Sequence, residues 1–137
     1  MAMAAMVAIV AGLFATSAPA AAASRNIGTT GVSARCDSSP YLLCLFYSGN
    51  FTGAYWGTSS YVANLSNSRF LAGTGSGAGQ VVRNNAASMS CDTSVAGNLW
   101  CWSYFNTSRG GNVDYLLPQR SGNLYYTWND EASVDIF

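Results

Sequence analysis

Leu43-Cys44-Leu45-Phe46-Tyr47 and Cys101-Trp102-Ser103-Tyr104-Phe105 lie 58 positions apart in a chain of 137 residues. Each is a short apolar and aromatic run of the length of one strand. The first is closed by the turn signal Ser48-Gly49-Asn50, and at the same offset Gly53 falls over Gly111. A shift of 45 then places Asn84-Asn85-Ala86-Ala87-Ser88 over Asn129-Asp130-Glu131-Ala132-Ser133. Two offsets, each kept through a block, mark one unit present twice. They differ by 13 residues, about the length of the glycine-rich segment Leu71 to Gln80 with its flank, which reads as an insertion in the first copy.

Between these blocks the pattern is of short β-rich runs broken by turns. Leu42 to Tyr47 is a buried strand, Ala54-Tyr55-Trp56 a second, Tyr61 to Leu65 a third, and Val81-Val82 resumes an extended run. No later stretch keeps a helical period. Two four-stranded units of about 40 residues each predict an all-β Greek-key sandwich made of two repeated motifs, one over about 41–90 and the other over about 98–137. Trp100, Trp102 and Tyr104 alternate along one strand face, and such a stripe is expected to fill the interior.

Composition removes several chemistries. The chain has no histidine and no lysine, so it cannot build a histidine-based nucleophilic site, a histidine-ligated zinc, a Schiff base or a P-loop. The glycine-rich Leu71 to Gln80 matches neither phosphate-binding spacing. Six arginines balance six carboxylates and are scattered, which gives no footprint for nucleic acid. Asp130 and Glu131 are the densest acidic site, but adjacent residues on a strand face opposite ways, so the paired carboxylates of a glycosidase are missing. An enzyme is not expected.

Met1 to Ala23 holds 19 apolar residues and no charged side chain. It ends in Ser17-Ala18-Pro19-Ala20-Ala21-Ala22-Ala23, so 1–23 reads as a signal peptide cleaved after Ala20 or Ala23. The apolar stretch falls short of the ~20 residues of a membrane span, and the mature form is expected to be secreted, free of the membrane and monomeric. Residues 24–35 lack period and bulk and are expected to form a flexible arm ahead of one domain over 36–137. In an exported chain the four cysteines predict two disulfides, for which three pairings exist. The local pairs Cys36 with Cys44 and Cys91 with Cys101 are favoured, each worth ~2 to 3 kcal/mol in the chain-entropy model. Neither pair has the spacing of a zinc site.

The leader, the segment Cys36-Asp37-Ser38-Ser39-Pro40-Tyr41-Leu42-Leu43-Cys44-Leu45-Phe46-Tyr47, the following Asn50-Phe51-Thr52-Gly53-Ala54-Tyr55-Trp56, and Val82-Arg83-Asn84-Asn85-Ala86-Ala87-Ser88 together resemble secreted actinobacterial peptidase inhibitors of the Streptomyces metalloproteinase-inhibitor type. The resemblance runs from Cys36 to Phe137 and implies a βγ-crystallin-like fold. It implies a proteinaceous inhibitor of an extracellular metalloprotease, with an extended, disulfide-clamped loop in the protease cleft. Here that loop lies between Cys91 and Cys101, with Thr93, Ser94, Val95, Ala96, Gly97 and Asn98 as its exposed part. Thermolysin-like enzymes favour a bulky apolar residue after the scissile bond, so bonds before Val95 or Leu99 suit them better than one before Asp92. The resemblance implies no required cofactor. It does imply an optional calcium ion at Asn84, Asn85 and Ser88 and at Asn129, Asp130 and Ser133, weak because only Asp130 and Glu131 bring carboxylates. These residues serve equally as turn formers capping a strand. The alternative function is a secreted binding or killer-toxin-like module that contacts cell wall or carbohydrate through its aromatic surface.

Overall fold

A computed structural model describes residues 18–137. Residues 1–17, most of the expected signal peptide, lie outside the described residues. The strands are β1 (Ser24–Asn26), β2 (Leu43–Phe46), β3 (Tyr55–Thr58), β4 (Ser88–Cys91), β5 (Cys101–Asn106), β6 (Gly110–Leu116), β7 (Arg120–Asn123) and β8 (Ser133–Ile136). A one-turn helix, α1 (Ala34–Asp37), precedes β2. The strands form two four-stranded sheets, ordered β3-β2-β4-β7 and β1-β6-β5-β8. The all-β Greek-key sandwich is the observed architecture.

Both offsets hold in three dimensions. The 58-residue shift carries β2 onto β5, and the 45-residue shift carries β4 onto β8 residue for residue. Each motif exchanges its third segment with the other. β7, from the second motif, pairs antiparallel with β4 of the first, while Val62 of the first bridges Val134 on β8. The same exchange recurs one turn further on, where Leu124 N–H donates to Ala87 O at 3.0 Å and Leu65 N–H to Ala132 O at 2.9 Å. The expected third strand, Tyr61 to Leu65, is thereby reduced to one bridge and a 3₁₀ turn, Leu65–Asn67.

The continuous apolar reading of β2 has a two-sided cause. Leu43 and Leu45 enter the main core with Met89, Leu116, Leu124 and Val134. Cys44 and Phe46 point to the other face, where Cys36 of α1, Tyr41, Phe51 and Tyr55 cover them. A strand buried on both faces reads as an unbroken apolar run. The disulfides are Cys36–Cys44 and Cys91–Cys101. The first ties α1 down over β2, and the second joins the end of motif one to the start of motif two.

Two expectations need correction. Residues 24–35 are not a free arm: β1 pairs in parallel with β6, with Ser24 opposite Val113 and Asn26 opposite Tyr115. Ile27 is buried in the main core. Backbone pairing and one apolar anchor suffice to hold this segment, and neither produces a period in Ser24-Arg25-Asn26. Its approach to β7 is close enough that a Cβ on Gly122 would stand 1.8 Å from the Ile27 carbonyl oxygen. The second correction concerns Trp100 and Trp102, which lie on the outer face of the second sheet, outside the core clusters. The inward positions of β5 are taken by Cys101 and Ser103.

Candidate functional site

The loop between Cys91 and Cys101 is built from its base upward. Asp92 N–H donates to Leu42 O at 2.7 Å and its carboxylate accepts from Gln119 Nε2 at 2.9 Å. Thr93 is fully buried, and its hydroxyl donates to Leu99 O across the neck of the loop. Thr93 O in turn accepts the N–H groups of Ala96 and Asn98, each at 3.0 Å. The chain between them makes a 3₁₀ turn, Ser94–Ala96, and returns through left-handed Gly97 (φ 88°) and Asn98 (φ 60°). Of the six predicted loop residues Thr93 is thus an internal brace, and the other five stand above it. Val95 is at the crest with 89% of its surface exposed. The expected extended, substrate-like conformation is absent: hydrogen bonds that fold back onto Thr93 close the loop into a turn instead.

The six residues considered for calcium come together as two crossed turns. Asn84 N–H donates to Glu131 O at 3.0 Å and Asn129 N–H to Ala86 O at 2.8 Å, so each stretch caps the other. Asn84 (φ 63°) and Asn129 (φ 54°) occupy the left-handed region that asparagine tolerates. The two serines have matching tasks. Ser88 Oγ donates to Ser48 O at 2.7 Å and accepts from Phe51 N–H at 3.0 Å. Ser133 Oγ donates to Asn106 O at 2.7 Å and accepts from Arg109 N–H at 3.2 Å. Each hydroxyl latches the corner of its own hairpin, where Gly53 (φ 74°) and Gly111 (φ 75°) supply the left-handed turn. The Asn85 amide donates to Val81 O and Arg83 O. Both serines are fully buried, so the oxygens still facing solvent come chiefly from Asn84, Asn129 and Asp130. That set falls short of the six to eight oxygens calcium takes, and no cluster of three or more acidic or cysteine side chains suited to a metal occurs among the described residues.

Glu131 replaces Ala86 in the repeat and breaks the symmetry chemically. Its side chain is fully buried. Oε1 accepts the N–H groups of Asn85 at 2.9 Å and Ala86 at 2.8 Å, whereas Oε2 has no partner. Burial pushes its carboxyl up to about 8, against the pull of the backbone N–H groups and with a small further push from Asp130. Sequence reasoning saw this residue only as a marginal calcium ligand and as half of an acidic pair unsuited to glycosidase chemistry. The available signal was an acid aligned with an alanine in the repeat.

On the outer face of the second sheet, rings stand in near-parallel contact. Trp102 stacks with Tyr115 at 5.0 Å and with Phe137 at 5.1 Å, and Trp100 stacks with Tyr115 at 5.4 Å. Trp100 is 38% exposed and Phe137 56%. Because Trp102 has a ring on either side, its flat faces are spent on its neighbours. At one end Arg109 lies over Tyr61 at 4.2 Å and pairs with Asp135.

No protein-family model and no curated protein sequence matches the chain. Solved structures do match in fold. A structure from work on the evolution of the eye-lens βγ-crystallin domain fold superposes with a TM-score of 0.53 at 14% identity, covering 73% of this chain and 90% of that one. A βγ-crystallin domain from Flavobacterium johnsoniae gives 0.49 at 17% identity, covering 70% and 93%. The N-terminal domain of Protein S gives 0.47 at 16% identity, covering 69% and 93%. The fold is that of a βγ-crystallin domain. The two disulfides are consistent with an extracellular protein, and among the described residues no helix is long and apolar enough to cross a membrane.

Proposed function

We propose that the protein is a secreted peptidase inhibitor whose contact element is the Cys91–Cys101 loop, with an extracellular metalloprotease as its partner. The observation that carries the reading is Val95, a bulky apolar residue held at the crest of a cross-linked turn with 89% of its surface exposed. An apolar side chain fixed in this way meets the demand of a thermolysin-like specificity pocket. The disulfide, the Thr93 to Leu99 bond and the two bonds to Thr93 O have already removed the ordering cost of binding. Since proteases cleave extended segments, a bond within a 3₁₀ turn resists turnover once Val95 is seated.

The test is inhibition of thermolysin-like and subtilisin-like enzymes by the purified protein at micromolar concentration. Inhibition of the metalloenzyme that Val95→Asp abolishes, with an unchanged melting temperature, supports the reading. No inhibition of either class overturns it.

A further inference from the structure

The Val95 crest is too small a contact to hold a protease by itself. Burying one valine side chain completely is worth a factor of about 10 to 150 in affinity, whereas a micromolar complex needs a factor of about 10⁶ over the molar standard state. An inhibitory loop on this chain needs further apolar surface within reach of the same partner. Several exposed large apolar side chains do not offer it. Phe105 stands at the opposite end of β5 from the loop. Cys91 is opposite Arg120, so β7 starts beside the loop and Tyr125 and Trp128 lie past its far end. The Tyr61 ring is covered by the Arg109 guanidinium.

Trp100 and Phe137 are placed differently. Trp100 directly follows Leu99, whose carbonyl accepts the Thr93 hydroxyl at the neck of the loop. Its N–H donates to Phe137 O at 2.8 Å, and Phe137 N–H donates to Trp100 O at 3.1 Å. A pair that exchanges both bonds carries its side chains side by side on one face of the sheet, here where the loop meets the second sheet. Both rings are braced from behind, Trp100 by Tyr115 and Phe137 by Trp102. Their exposed parts form a fixed apolar shelf at the foot of the loop. Apolar burial is non-directional, so the outer edges of stacked rings serve as well as flat faces. Beyond Phe137, the Arg109 pair with Asp135 gives the shelf a polar margin.

We propose that Trp100 and Phe137 form a second contact with the protease that takes Val95, receiving a bulky apolar side chain from the rim of its cleft. The inference rests on the inhibitory reading of the loop and adds to it a source of affinity. Val95 selects the class of enzyme through its specificity pocket. The shelf selects, within that class, enzymes with an apolar rim. Exposed tryptophan and other aromatic anchors carry a large share of the energy of protein interfaces. The Cys91–Cys101 cross-link and the Trp100 to Phe137 bonds hold shelf and loop in one frame, so the second contact forms without a further ordering cost.

Inhibition constants against a thermolysin-like enzyme test the proposal, measured for the wild type, Val95→Asp, Trp100→Ala and Phe137→Ala. Each alanine variant should raise the constant about tenfold, the scale of burying part of one aromatic side chain, through faster dissociation. Melting temperature and amide exchange at Ala96 and Asn98 should stay at wild-type values, which separates a lost contact from a disturbed turn. Hydroxyl-radical footprinting of the wild-type complex needs no variant: oxidation of Trp100 and Phe137 should fall on binding, and that of Phe105 should not. Wild-type inhibition that Val95→Asp abolishes but both alanine variants keep within twofold overturns the shelf and leaves the loop reading standing. Unchanged oxidation of Trp100 and Phe137 in the complex does the same. A wild-type protein that inhibits nothing removes both. A dimer at assay concentration that Phe137→Ala dissociates assigns the shelf to a second copy and also overturns the proposal.

Discussion

Glu131 makes the stability of this domain depend on pH in the direction opposite to that of a paired surface carboxylate. The folded protein holds the carboxyl proton up to a pH of about 8, whereas the ordinary value of 4.5 applies once the chain unfolds. Below 4.5 both states are protonated and the contribution to stability is complete. As pH rises from there, the unfolded chain releases the proton and the folded one does not, so the unfolded state is favoured by ~1.4 kcal/mol per pH unit. The loss ends once pH passes the folded value of about 8, and over the whole window it amounts to ~5 kcal/mol. That is a large share of the 5 to 15 kcal/mol typical of a domain.

Glu131→Gln isolates the effect. The amide keeps an oxygen for the N–H groups of Asn85 and Ala86 and cannot ionise. Urea unfolding of both proteins at half-unit steps through the window gives the difference in their stabilities, from which other carboxylates cancel. The difference should tilt steadily toward the variant as pH rises and leave it the more stable protein above the window. Parallel stability curves for wild type and variant across that range would refute the reasoning.

Other consequences can be checked more briefly. Gly122→Ala places a methyl carbon on the Ile27 carbonyl oxygen, so it should cost ~1 to 3 kcal/mol and speed amide exchange at Ile27; unchanged exchange there would show that β1 is not held as described. If calcium binds the crossed turns, it does so through Asp130. Millimolar calcium should then raise the melting temperature by only a few degrees, and Asp130→Ala should abolish the rise. A large rise, or one the variant keeps, would place the ion elsewhere.

Legibility in the sequence followed burial. The apolar runs of β2 and β5 were readable because sheet strands with covered faces must be apolar, and the paired offsets because left-handed corners demand Gly or Asn at fixed places. Position 62 was overread as a strand, since a single bridge and a strand draw on the same residue types. β1 was invisible because backbone hydrogen bonds carry no side-chain signature. Trp100 and Trp102 misled for a related reason: alternation reveals that a strand has two faces, and here serine took the inner one. In the Cys91–Cys101 loop short spacing favoured the cross-link among three pairings without fixing it. Its 3₁₀ turn depends on the Thr93 hydroxyl reaching Leu99 O, a contact no local pattern encodes.

The repeat also organises what the protein has to offer for function. Where the halves agree, at Ser88 and Ser133, at Gly53 and Gly111, at Leu65 and Leu124, the residues hold the fold and their polar atoms are consumed by it. Apart from the solvent-facing side chains of the matched Asn84 and Asn129, groups with something left over occur where the halves differ. Glu131 stands where the other motif has Ala86 and keeps an unpartnered oxygen. The Cys91–Cys101 loop joins the motifs and has no counterpart within either, and it carries the most exposed large apolar side chain among the described residues. β1 adds a strand to one sheet and brings an arginine without a counter-ion. A duplicated scaffold satisfies much of itself through its symmetry, so substitutions at these three departures should alter binding or pH response, and substitutions at the matched serines, corner glycines and leucines should alter stability alone.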